Sequence, residues 1–65
     1  MNKTIPIHLR EEFKHWMKEH DFDDLSDGAW LTVLNEAAGI FITQHKLKDI
    51  DSNDATHQYL AGVSH

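Results

Sequence analysis

Hydrophobic positions along this chain form two helical stripes of very different width. Ile5, Leu9, Phe13, Trp16 and Met17 recur at intervals of three and four, which predicts one amphipathic helix over about 7–20. Pro6 suits its first turn, where a missing N–H costs nothing. Further along, Ala29, Trp30, Leu31, Val33, Leu34, Ala37, Ala38, Ile40, Phe41, Ile42 and Leu47 fall within about 220° of arc at 100° per residue. That arc predicts a second helix over 26–47. Ser26 is placed as its N-cap, Asp27 in its first turn, and Leu25 and Trp30 for a hydrophobic staple. A stripe of roughly 100° is enough to meet one neighbour, so the wider arc has two sides to bury.

Asp21 to Leu25 forms the turn between the two helices. Gly39 interrupts the second one, and two readings stay open there: a break or tolerated weak point, or the close approach of another backbone. A polar connector, Asp49–Asn53, precedes a short third helix over about 53–61, capped by Ser52 or Asn53 and stopped by Gly62. Its inward residues are Ala55, Tyr59 and Leu60. Helices this short are marginal alone. Whether it docks or frays is not legible in the pattern.

Length sharpens the problem of the wide arc. A chain of 65 residues sits near the lower limit for a self-sufficient core, and without cysteine it has neither disulfides nor a thiolate zinc site. A second copy of the chain is the natural cover. The expected architecture is mainly α: an antiparallel helical hairpin with a short C-terminal helix, forming a homodimer. Trp30, Leu31, Leu34, Ala38, Phe41 and Ile42 are the expected interface residues.

The formal charge of −5 speaks against nucleic acid, whose binders neutralise phosphates with Lys and Arg. The basic residues are Lys3, Arg10, Lys14, Lys18, Lys46 and Lys48, without a contiguous block. The acids cluster at Asp21, Asp23, Asp24 and Asp27 and again at Asp49, Asp51 and Asp54, where they stabilise helix N-termini. No segment has the length of a membrane span or the form of a signal peptide, so a cytoplasmic location is expected.

Six histidines raise the question of a metal. Glu12 and His15 have the Glu-x-x-His spacing of di-iron bundles, and Asp54 and His57 imitate it. In those bundles the ligands point inward, whereas the helical period turns His15 toward water. His45 lies within the apolar arc and is the one candidate for a pH-sensitive contact. No serine has a nucleophile's glycine setting and no glycine-rich loop can cradle phosphate. Neither a cofactor nor catalysis is expected. The function expected is that of a small accessory or regulatory protein, of a kind bacteria and phages carry, acting by protein–protein interaction.

The opening Lys3-Thr4-Ile5-Pro6-Ile7-His8-Leu9-Arg10-Glu11-Glu12-Phe13 resembles the start of ribbon–helix–helix proteins, dimeric DNA-binding repressors and antitoxins. The resemblance covers residues 3–42. It implies a strand over 3–9 with Ile5, Ile7 and Leu9 inward, Thr4, Pro6 and His8 facing the DNA groove, and Phe13 and Met17 on the first helix. That dimer, a DNA-binding regulator, is the alternative to the hairpin.

Overall fold

Pro6 sets the start of the first helix. Lacking an N–H, it cannot contribute to a strand ladder, and its φ of −55° suits a helix entry, where it stands as N-cap. The computed structural model describes residues 4–22 and 24–63. Three helices follow one another: α1 (Ile7–Glu19), α2 (Asp27–Gln44) and α3 (Ser52–Val63).

The strand implied over 3–9 is therefore a correction to record. Residues 4–6 are coil, and 7–9 belong to the first turn of α1, where the Leu9 N–H donates to the Pro6 carbonyl at 2.9 Å. Lys3 lies outside the described residues. Among those residues there is no strand.

The second helix runs unbroken through Gly39. Of the two readings of that glycine, the break is excluded, and no backbone presses on it, so it stands as a tolerated weak point. A Cβ placed there would lie 3.8 Å from the Cβ of Ser52 at the start of α3. The helix ends at Gln44 rather than at 47 because Lys46 takes the left-handed conformation, φ 56°. The Leu47 N–H then reaches the Ile42 carbonyl at 2.9 Å and the Lys46 N–H the Thr43 carbonyl at 3.2 Å. This is a Schellman turn with lysine where glycine is usual.

Ser26 is the N-cap of α2 as expected, though without the side-chain bond, and the cap and stop of α3 need correcting. The Ser26 backbone is extended, and its carbonyl accepts the Trp30 N–H at 2.8 Å. In α3 the capping carbonyl is that of Asp51, which accepts from Ala55 at 3.0 Å, and the helix continues through Gly62.

The core joins Ile5, Phe13 and Met17 to Leu34, Ala37, Ala38 and Phe41 of α2 and to Ala55 and Tyr59 of α3. Both α1 and α3 pack on α2, which is why its apolar arc is so wide. Phe13 meets Phe41 edge-on, with ring centroids 5.1 Å apart. Trp16 buries most of its indole and donates its Nε1–H to the Ala37 carbonyl at 2.7 Å. At the N-terminus the Ile5 N–H donates to Gln58 Oε1 at 2.7 Å, anchoring the entry coil on α3. The second cover that length alone assigned to another copy is supplied by twelve residues of α3. Among the described residues, no helix is long and apolar enough to cross a membrane.

Candidate functional site

The six residues expected at an interface separate into three environments. Leu34, Ala38 and Phe41 are buried inside the single chain. Trp30 and Ile42 are half-buried against the same core. Leu31 remains 42% exposed, and among the large apolar residues of α2 it shares that state with Ile40, at 49%. The central part of the predicted interface is thus core. Its margin is what stays accessible.

Trp30 has a second role that its place on the apolar arc did not announce. Its Nε1–H donates to Asp21 Oδ1 at 2.5 Å, while the Tyr59 hydroxyl donates to Oδ2 of the same carboxylate at 2.9 Å. One carboxylate in the α1–α2 connection therefore ties α2 to α3. Burial, the hydrogen bond to Asp21 and repulsion from its charge together push the Tyr59 hydroxyl from 10.0 up to about 12. Of the other acids, Asp27 and Asp54 lie in the first turns of α2 and α3 and Asp51 just before α3, as the helix-end reading expects, whereas Asp24 and Asp49 stand in the connecting turns. Asp23 falls outside the described residues.

The metal motifs do not assemble. Glu12 and His15 are both exposed, and Glu12 Oε2 lies 3.1 Å from His45 Nε2 instead. The His45 ring rests on Phe41 at a centroid distance of 4.2 Å. Asp54 and His57 are also exposed. Among the described residues, no three side chains of metal-ligating type converge.

A different constellation emerges once α1 is formed. Arg10, Lys14 and Lys18 stand one turn apart, each step advancing only about 40° around the axis, so the three share one sector of about 80°. All three are exposed, and none has a salt bridge among the described residues. Like charges four residues apart repel by a few tenths of a kcal/mol. Lys18 has a local compensation, since it stands in the last turn of α1 near the negative end of the helix dipole. Lys14 has Glu11 three residues before it, whereas Arg10 has no acid three or four residues away. Ile7, 81% exposed, continues the same line toward the N-terminus, and Glu11 borders it.

Beside this row, between α1 and α3, a half-open cleft of about 290 Å³ is lined by Arg10, Lys14, Phe13, Tyr59, Thr4 and Gly62. Its floor is aromatic and its α1 rim is cationic. The six basic residues look scattered along the chain because three of them are brought into register only by helical geometry. Their i, i+4, i+8 spacing was the available signal. The α3 wall of the cleft had no such signal. Compared with known protein families, curated proteins and solved structures, the chain matches none.

Proposed function

We propose that this is a non-catalytic accessory protein of the cytoplasm that binds an acidic segment of another protein along α1. The observation that carries the proposal is the row Arg10, Lys14 and Lys18, exposed and without a salt bridge among the described residues, in a chain of net charge −5. Cations held together against their own repulsion favour an anionic occupant. A nucleic-acid duplex carries a charge about every 1.7 Å and would meet the acidic remainder of the surface as well. A short peptide with a few carboxylates meets the row alone.

The test is a titration at low salt with a synthetic acidic peptide, followed by amide chemical shifts. Shifts should concentrate on α1 and fade as salt is added. The combined variant Arg10→Glu, Lys14→Glu and Lys18→Glu should abolish them. Unchanged binding by that variant overturns the proposal.

The reading also takes α1 and α2 as an antiparallel hairpin. Glu12 pairs with His45, Phe13 with Phe41 and Trp16 with Ala37, an order that rises along one helix as it falls along the other. A second function, self-association through α2, draws on the exposure of Leu31 and Ile40. Sedimentation equilibrium tests it: the wild type should dimerise and the Leu31→Lys, Ile40→Lys double variant should not.

A further inference from the structure

We infer that the cleft between α1 and α3 seats one large apolar side chain of the acidic segment, so that recognition needs an anchor flanked by carboxylates. The inference rests on the acidic-partner reading above and adds to it what the segment must contain. Three features of the cleft point to this occupant.

The first is size. At about 290 Å³ the cleft is at the low end of small-molecule pockets and too small to admit a helix about 10 Å across, but it suits a single aromatic or branched side chain. The second is the distribution of charge. Arg10 and Lys14 rim the cleft, and Lys18 extends the row past it, giving about 12 Å from first to last along the axis. One small carboxylate cannot span that distance, whereas a peptide with acids on both sides of its anchor can.

The third is Gly62. It lines the cleft from within α3, at a helical position where alanine would be more favourable by about 1 kcal/mol. A Cβ there would meet nothing within 4 Å. Position 62 therefore faces open space, which a larger side chain there would enter. The coil carrying Thr4, which also lines the cleft, is held to α3 by the bond from the Ile5 N–H to Gln58 Oε1.

The experiment compares two synthetic peptides, Asp-Glu-Phe-Glu-Asp and Asp-Glu-Ala-Glu-Asp, each blocked at both ends, titrated into the whole chain and followed by amide shifts. The phenylalanine peptide should bind about tenfold more tightly, with the amides of Thr4, Gln58 and Gly62 among those displaced. Gly62→Leu, and separately Gly62→Met, should erase that advantage while leaving the alanine peptide's affinity unchanged. Circular dichroism confirms that both variants stay helical.

Equal binding of the two peptides by the wild type overturns the inference and leaves the acidic-partner reading intact. So does an advantage that survives both Gly62 substitutions. If neither peptide binds, the acidic-partner reading falls and takes this inference with it. Octanoate displacing the same amides more tightly than the phenylalanine peptide would assign the cleft to a small amphiphile and overturn the peptide as occupant.

Discussion

At its N-terminal end α2 is tied to its neighbours by a shared carboxylate, whereas past the bond from Trp16 to the Ala37 carbonyl its last turns are held by ring against ring. Asp21 accepts from Trp30 and Tyr59, residues 38 positions apart at the widest span of the three. Phe41 instead lies between Phe13 and His45, fully enclosed and with no polar group of its own to satisfy. The two ends differ in how they fail. An apolar contact loses free energy in proportion to what is removed, while a hydrogen-bond junction leaves its other members without partners.

The largest effect should therefore come from the apolar end. Phe41→Ala should cost about 3–5 kcal/mol in denaturant unfolding, a large fraction of what so small a domain has. Phe41→Asp should leave the chain unfolded, because an unpaired carboxylate in that position cannot be compensated. If Phe41→Ala costs no more than removing the Asp21 carboxylate, the contrast between the two ends is wrong.

Asp21→Ala should come second, at about 1–3 kcal/mol, since it strands the Trp30 N–H and the Tyr59 hydroxyl. Adding Tyr59→Phe to that variant should restore part of the loss. The same junction has a signature in alkali. The folded state raises the Tyr59 hydroxyl from 10.0 to about 12, so it favours the protonated form. The resulting contribution is fully present below pH 10 and is lost as pH rises toward 12. In Asp21→Ala the tyrosinate absorbance should develop at lower pH than in the wild type. An unmoved titration would mean that burial alone sets the shift.

This contrast also explains what could and could not be read from the chain. The α1 stripe and the α2 arc are periodic, so Ile5, Phe13, Met17, Leu34 and Phe41 are legible as inward residues from their spacing alone. The junction at Asp21 is not periodic. Nothing in the spacing joins an aspartate in a turn to a tyrosine on another helix, and Asp21 looked like one more acid near a helix start. The cover of the arc was missed for a related reason. A helix of marginal length gives no sign of whether it docks, yet Ala55 and Tyr59 of α3 complete the core. The basic row of α1 lay in between: its spacing was present in the chain, but the cleft beside it depends on α3.

Two smaller changes sharpen the picture of α2 by improving it. Gly39→Ala should stabilise the helix by about 0.5–1 kcal/mol, because the new methyl meets Ser52 only at ordinary contact distance. Lys46→Gly should give a gain of about the same size by relieving a left-handed lysine at the Schellman turn. Both are read from thermal unfolding. A loss with Gly39→Ala would show that α3 approaches more tightly than 3.8 Å allows.

The smallest expected effect concerns the contact between Glu12 and His45, the latter of which carries a charge only when protonated. The Glu12 side chain is 63% exposed and that of His45 28%, so water screens their 3.1 Å contact. Exposed pairs of this kind contribute about 0–1 kcal/mol at best. Glu12→Ala should thus change stability by no more than about 0.5 kcal/mol in either direction. His45→Ala should cost more, because it removes a ring from the face of Phe41 as well as the polar partner of Glu12. The ratio of the two losses separates packing from charge. If Glu12→Ala proves as damaging as His45→Ala, charge matters at this end too, and the division between a polar and an apolar attachment of α2 no longer holds.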